Sequence, residues 1–77
     1  MRTITDLQTL PHHELLLSFD NGEKKRFDMK PYLKLPVFKE LQNEGYFRQV
    51  QNRSYFIEWP HEQDLSSDTL YLEGTVL

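Results

Sequence analysis

Hydrophobic residues recur at alternate positions from Leu15 to Phe27, on either side of an Asn21-Gly22 pair. An Asn-Gly pair between two strand-like runs favours a β-hairpin, because both residues tolerate the positive φ of a tight turn. A two-residue turn would place Phe27 opposite Leu16, on the other face from Leu15. A three-residue loop with Gly22 in the left-handed conformation places Phe27 opposite Leu15 instead. The second register keeps the apolar side chains on one face, and the sequence therefore predicts it.

The opposite face of this hairpin carries Leu16, Ser18, Lys24 and Arg26. Such a set is common on solvated faces, because the aliphatic stems of Lys and Arg cover apolar surface. A leucine beside two cations is also a candidate contact surface for a partner protein. We therefore treat Leu16, Lys24 and Arg26 as candidate partner-binding residues.

The segments on both sides of the hairpin predict a strand and a helical turn. The run from Arg2 to Leu10 mixes Thr, Ile and Leu and stops at Pro11, which predicts a first strand at a sheet edge. Pro31 suits the first position of one helical turn.

A helix is predicted from Pro36 to Glu44. Pro36 suits its first position, and Gly45 is placed to end it in the left-handed conformation. The predicted helix is short, so only the burial of an apolar stripe can stabilise it. The residues of this stripe are Val37, Phe38 and Leu41.

A second hairpin is predicted from Tyr46 to Gln51 and from Ser54 to Trp59, with its turn at Asn52-Arg53. Alternation in the later strand puts Tyr55, Ile57 and Trp59 on the core side and Phe56 with Glu58 on the other side. Phe56 has no evident apolar partner on that side, so we expect it to form one outward partner surface together with Leu16, Lys24 and Arg26.

The tail after Pro60 admits two interpretations. Ser66 or Ser67 can cap a helical turn that runs from Asp68 to Tyr71, or Leu70 to Leu72 can add a strand. The sequence leaves residues 66–77 open between helix and strand.

The predicted fold is a single α+β domain over residues 1–77 with two layers. We expect a mostly antiparallel sheet of four or five strands, built from hairpins, with the short helix packed on one face. The chain has no Cys, which excludes disulfides and thiolate metal sites. It has neither a signal-peptide pattern nor an apolar run of membrane-spanning length, so we expect a cytoplasmic protein.

The charge of the chain and its candidate chemistry argue against an enzyme or an autonomous nucleic-acid binder. The net charge is −3, opposite in sign to that of a typical phosphate-binding protein. His12 with His13, and His61 with its acidic neighbours Glu62 and Asp64, lack the spacing of a convincing metal site. Asp28 and Asp64 stand at element ends, where Asp commonly accepts backbone hydrogen bonds, so we expect structural caps. We expect no cofactor, metal or catalytic residue.

The whole pattern resembles the bacterial family known as domain of unknown function 2442. The resemblance extends from about Ile4 to Tyr71 and rests on several short pieces in combination. These are Phe19-Asp20-Asn21-Gly22, Asp28, Phe38 with Leu41, Phe47, Ile57 with Trp59-Pro60, Asp64-Leu65 and Leu70-Tyr71.

The resemblance implies a small α+β domain without assigned activity. Genes of that family often lie beside genes of a second one, domain of unknown function 4160, in an arrangement like a toxin and antitoxin pair. Longer members carry a helix-turn-helix extension that is absent from this sequence, so a repressor role is not expected. The leading hypothesis is a non-catalytic, antitoxin-like or regulatory module that binds a small protein encoded nearby or a second copy. The alternative is a nucleic-acid-binding regulator that uses Lys24, Lys25, Arg26, Arg48 and Arg53, alone or with a partner.

Overall fold

The computed structural model describes residues 2–77 and has the α+β class that the sequence predicts. Two antiparallel sheets pack with short helices around a common core. The first sheet has the strand order β1-β2-β3-β7 and the second has the order β4-β5-β6. The strands are β1 (Ile4–Leu10), β2 (Glu14–Phe19), β3 (Lys24–Asp28), β4 (Gln51–Asn52), β5 (Phe56–Glu58), β6 (Asp64–Ser66) and β7 (Thr75–Val76). The helical segments are the 3₁₀ segments Lys30–Tyr32 and Pro36–Gln42, α1 (Glu44–Phe47) and α2 (Ser67–Glu73).

The central hairpin adopts the register predicted from its apolar pattern. Phe27 of β3 lies opposite Leu15 of β2. Gly22 has a φ of 88°, and its N–H donates to the Phe19 carbonyl at 3.0 Å. The loop closes with a second bond, from the Phe19 N–H to the Glu23 carbonyl at 2.9 Å. The prediction of a three-residue loop with a left-handed glycine is therefore confirmed.

The first strand and the first helical turn also form where the sequence predicts them. β1 lies at one end of the first sheet, and a bulge shifts its register between Ile4 and Asp6. Pro31 stands in the first turn of the 3₁₀ segment Lys30–Tyr32. The short strand β7 at the other end of the sheet was not predicted, since two residues carry no recognisable pattern.

The predicted helix from Pro36 to Glu44 is wrong in type and in its end. Residues Pro36–Gln42 form a 3₁₀ helix, and Asn43 then caps α1 by accepting the Tyr46 N–H at 3.0 Å. Gly45 lies inside α1 without a positive φ and does not end the helix.

The tighter winding of the 3₁₀ segment also changes its buried face. In a 3₁₀ helix residues three apart lie above one another, so Phe38 and Leu41 both face the core. Val37 falls outside this row and is 60% exposed, contrary to its predicted place in the stripe.

The second hairpin is shorter than predicted. Tyr46 and the residue after it belong to α1, and the strand contains only Gln51–Asn52. The Asn52 side chain accepts the Ser54 N–H at 2.8 Å, which turns the chain over residues 53–55. Tyr55 therefore lies in the turn and is 52% exposed, so its predicted place on the core side is wrong.

The tail takes the helical alternative. The Ser66 hydroxyl caps α2 by accepting the Thr69 N–H at 3.1 Å. Both sheets and α2 contribute buried side chains to a single core. By sharing this core, the elements of so short a chain can bury their apolar residues. The buried apolar residues are Ile4, Leu15, Leu17, Phe19, Phe27, Met29, Phe38, Leu41, Phe47, Ile57, Trp59, Leu65 and Leu70.

Candidate partner-binding surfaces

The outer face of the central hairpin carries three of the four candidate partner-binding residues. Leu16 lies opposite Arg26, and Ser18 lies opposite Lys24. The two cations are exposed, whereas Leu16 is half-buried. Period-two alternation thus places these side chains together, as the sequence predicts. We call Leu16, Ser18, Lys24 and Arg26 the outer face.

Carboxylates partly neutralise this face at one end. The Arg26 Nε lies 3.9 Å from Glu14, and the Lys30 Nζ lies 3.6 Å from the same carboxylate. Exposed pairs of this kind stabilise a fold by about 0–1 kcal/mol at most. They nevertheless reduce the field that a partner would meet. Lys24 forms no ion pair among residues 2–77.

Lys25, on the core side of the same strand, is an unexpected buried cation. It is 7% exposed, and its Nζ donates to the Tyr71 carbonyl at 2.5 Å. The ammonium also lies 3.8 Å from the centre of the Tyr71 ring, and the Arg2 guanidinium lies 3.9 Å from it. The two contacts of Lys25 connect α2 to the first sheet. The predicted register places Lys25 opposite Leu17, on the apolar face. This position is the feature of the sequence that indicates the burial of Lys25.

Phe56, the fourth candidate residue, lies in the second sheet. It stands on β5 opposite Ser66 and is 37% exposed. Tyr55 precedes it and is more exposed still. We call Tyr55 and Phe56 the aromatic tip. The four candidate residues, expected on one face, therefore lie in two different sheets, on the outer face and at the aromatic tip.

Backbone hydrogen bonds fix the conformation of the aromatic tip. The Phe56 carbonyl accepts the Arg53 N–H at 2.8 Å, and the Tyr55 carbonyl accepts the Ser67 N–H at 2.8 Å. Because backbone hydrogen bonds connect Tyr55 and Phe56 to neighbouring chain segments, the end of the turn and the start of β5 are held rigidly. An aromatic side chain on such a rigid backbone loses little conformational entropy on binding.

Trp59, three residues after Phe56, has the core position that its alternation predicts. Its side chain is 1% exposed, and Nε1 donates to the Phe47 carbonyl at 2.9 Å. The Phe47 and Trp59 rings lie 5.9 Å apart. The contrast with Phe56 shows that the second sheet has one filled side and one open side.

Asp28 accepts a backbone bond just before a helical turn, the position in which the sequence predicts a cap. Its Oδ1 accepts the Lys30 N–H at 2.9 Å and lies 3.1 Å from the Lys30 Nζ. Desolvation is the largest single influence and acts to raise the pKa of Asp28. The hydrogen bonds and charge of Lys30 together outweigh it, so the pKa lies below its ordinary value of 3.8.

Asp64 lacks a comparable contact. It begins β6 and lies opposite Glu58, but no hydrogen bond to its carboxylate is found among residues 2–77. The residue that caps the following helix is Ser66. The sequence offered Ser66 and Ser67 as alternative caps, so the position of the cap was predicted to within one residue.

His13 and His61 contact different carboxylates. The His61 Nδ1 is 2.6 Å from Glu40, and the His13 Nδ1 is 3.5 Å from Glu44. The His13 ring packs at 5.0 Å from the Phe47 ring, and both His12 and His13 have positive φ. No group of three His, Cys, Asp or Glu side chains that could hold a metal ion is found within the described part of the chain.

An open cleft of about 520 Å³ lies beside Arg26, at the end of β3. Its carboxylates already have partners: Glu14 faces Arg26, Asp28 holds Lys30, and Glu73 accepts the Tyr32 hydroxyl. The lining residues are Glu14, Arg26, Phe27, Asp28, Pro31, Tyr32, Glu73 and Thr75.

The five basic residues of the nucleic-acid hypothesis do not form one free positive surface. Lys25 is buried, Arg48 lies 3.3 Å from Glu44, and Arg53 lies 3.2 Å from Glu58. Arg26 faces Glu14, which leaves Lys24 as the exposed member of this set without a carboxylate neighbour among residues 2–77.

In the stretch that the structure describes, no helix is both long enough and apolar enough to cross a bilayer.

Comparison with known protein families gives one match. The sequence profile of the family described as "Protein of unknown function (DUF2442)" matches residues 4–75. No curated protein and no solved structure matches the chain.

Proposed function

We propose that this chain, which belongs to the family of proteins of unknown function DUF2442, is a non-catalytic protein-binding module of a bacterial cytoplasm. Its partner is another small protein encoded by a neighbouring gene, and its role is antitoxin-like or regulatory. Phe56 is the anchor of the contact. Leu16, Lys24 and Arg26 form a second contact surface on the outer face.

The observation that carries this proposal is the exposure of Phe56 at the start of β5, directly after the turn that holds Tyr55. A side chain that is 37% exposed still presents apolar ring surface to water, and Tyr55 beside it presents more. Aromatic residues dominate the binding energy of protein interfaces, because they bury a large area with few rotatable bonds. A partner that covers the Phe56 ring removes this apolar surface from water, and this burial stabilises the complex.

The distribution of charge favours a protein over a nucleic acid as the autonomous target. Nucleic-acid affinity depends on free Lys and Arg side chains that neutralise phosphates. Here Arg48 and Arg53 lie against carboxylates, and Lys25 serves the contact between β3 and α2. Lys24, which has no such neighbour, instead suits the steering of an acidic patch on a protein partner.

Native purification from the source cell, followed by intact-mass spectrometry, tests the proposal. We expect a stoichiometric protein partner with the parent chain, and a loss of that partner with Phe56→Ala. Val37→Ala is the matched control, because Val37 is also exposed and apolar but lies outside the aromatic tip. A chain that purifies without any stoichiometric protein, or a partner retained equally by Phe56→Ala, contradicts the proposal.

A further inference from the structure

The outward edge of β1 is open in its central part. Hydrogen bonds of antiparallel strands alternate, so every second residue bonds to a given neighbour. The bonds from Phe19 to Glu23 and from Met29 to His13 show that odd-numbered residues of β2 bond towards β3. The even-numbered residues of β2 therefore bond towards β1.

This phase fixes which residues of β1 point outwards. The even-numbered residues of β2 lie opposite Asp6, Gln8 and Leu10, so these three bond inwards. Leu7 and Thr9 consequently direct their N–H and C=O groups away from the sheet. Neither residue makes a loop or inter-element backbone hydrogen bond among residues 2–77.

The start of the same strand is different, because the second sheet covers it. The Ile4 N–H donates to the Ser54 carbonyl at 2.7 Å, and the Asn52 amide donates to the Ile4 carbonyl at 2.9 Å. The bulge between Ile4 and Asp6 separates this paired start from the open part. The open part therefore extends from the bulge to Pro11.

Asp6 is the one charged residue of the open part, and it lies at the end next to the bulge. Natural edge strands commonly carry Lys or inward-pointing charges that prevent pairing with another chain. The segment Leu7-Gln8-Thr9-Leu10 has no charged side chain. A cleft of about 290 Å³ lies beside it, lined by Thr9, Leu10, Pro11, Glu44 and Arg48.

We propose that β1 pairs antiparallel with β1 of a second copy, about a two-fold axis at Gln8. Leu7 then lies opposite Thr9 of the second copy, and the outward N–H and C=O groups of both residues are satisfied in both copies. The two four-stranded sheets become one continuous sheet. Strand addition of this kind is a general mode of recognition at an open edge.

The sequence of the open part fits this two-fold pairing. A two-fold interface brings the same patch of both copies together, so like charges at the axis would oppose it. Here Gln8 meets Gln8, and Asp6 lies opposite Leu10 of the second copy, so no carboxylate faces another across the strands. Leu7 of the second copy comes to lie beside Thr9, next to the cleft. The second copy is therefore a suitable occupant of this edge.

The expected dimer is weak. Pairing so short an edge buries less than the roughly 1,600 Å² of a standard stable interface. Its formation should thus depend strongly on concentration. The residues of the open part are not those of the aromatic tip, so this inference does not rest on the proposed function.

Sedimentation equilibrium over about 10 μM to 1 mM, a range set by the affinity expected for a small interface, tests the dimer. We expect the mean mass to rise from monomer towards dimer. Amide hydrogen exchange of Leu7 and Thr9 should slow as concentration rises, because their N–H groups become bonded. A monomer throughout this range, or exchange at Leu7 and Thr9 that is independent of concentration, overturns the proposal.

Thr9→Pro tests the register, because it removes an outward N–H without removing a bond to β2. We expect at least about a tenfold weaker dimer, while Thr9→Val, which keeps the N–H, should dimerise like the parent. Gln8→Lys, which places two cations at the axis, should weaken the dimer even if Thr9→Pro fails to fold. Gln51→Lys adds the same charge in β4 and is its control. Parent-like dimerisation by Gln8→Lys or by folded Thr9→Pro contradicts the register. Unchanged dimerisation by Phe56→Ala supports a dimer edge that does not include the aromatic tip.

Discussion

The two sheets differ in how they present their outward side chains. On the outer face of the first sheet, Leu16 is half-buried and Arg26 faces Glu14. On the second sheet, Phe56 begins β5 directly after the turn that holds Tyr55, and the two residues are 37% and 52% exposed. The first surface is largely satisfied within the fold, whereas the second gains from being covered. This difference is the reason why we propose the aromatic tip as the anchor of a partner contact.

The two sides of the second sheet give the largest expected difference between variants. Trp59→Ala removes a side chain that is 1% exposed and a hydrogen bond to Phe47, so it should destabilise the fold by about 3–5 kcal/mol. Phe56→Ala should lower the free energy of unfolding by less than about 1 kcal/mol, because its ring is partly in water. Urea unfolding of both variants measures these changes. Equal losses would place Phe56 in the core.

The next effect concerns the turn of the first sheet. Gly22→Ala should destabilise the fold by about 1–2 kcal/mol, because an L-residue is strained at a φ of 88°. A Cβ at Gly22 would meet no atom within 4 Å, so the loss comes from the backbone alone. Gly45→Ala, at a glycine without positive φ, is the control and should lose less. Thermal melts that show no loss for Gly22→Ala would contradict the left-handed turn.

Asp28 tests a smaller effect at the end of the same hairpin. Asp28→Ala should cost about 1 kcal/mol, and Asp28→Asn should cost less, because the amide oxygen still accepts the Lys30 N–H. Since the pKa of Asp28 is lowered on folding, its charged form stabilises the protein above pH 3.8. This contribution is lost as the pH falls through the folded pKa. The difference in the free energy of unfolding between the parent and Asp28→Asn should therefore become smaller as the pH falls, and acid unfolding curves measure this. A difference that does not change with pH would exclude the Asp28 carboxylate as its cause.

The smallest expected effect is binding to nucleic acid. Because most of the cations considered for it are paired or buried, the isolated chain should bind duplex DNA more weakly than the usual nonspecific range of about 10⁻⁴–10⁻⁶ M. Fluorescence anisotropy at about 150 mM salt measures this affinity. Micromolar binding with a steep salt dependence would favour the nucleic-acid alternative.

The first sheet could be predicted because its information is local. A single turn type and a period of two determine the partners of Leu15 and Leu17 once Gly22 is assigned a positive φ. The same alternation predicts the outer face without any knowledge of the tertiary fold. The short strand β7 and the burial of Lys25 went unrecognised, the latter because the partner of Lys25, the Tyr71 carbonyl, belongs to a helix that the sequence left open.

The region from Pro36 to Tyr55 could be predicted only in outline. Here short polar contacts decide the backbone: the Asn43 and Asn52 side chains each accept a backbone N–H and start a new turn. Such Asn residues favour several local structures, so their effect depends on what packs nearby. For the same reason Tyr55 was expected in the core and is exposed, which enlarges the apolar surface beside Phe56, whereas Val37 is exposed because of the 3₁₀ winding of its segment.

The most direct test measures the affinity of the purified partner for Phe56→Ala and Leu16→Ala, together with the free energy of unfolding of each variant. With the aromatic tip as anchor, Phe56→Ala should weaken binding by about 2 kcal/mol or more while the fold remains nearly as stable as the parent. Leu16→Ala should weaken binding less, since its side chain is already half-covered within the first sheet. Unchanged binding by Phe56→Ala, or a loss that merely follows its unfolding, would contradict the assignment of the anchor.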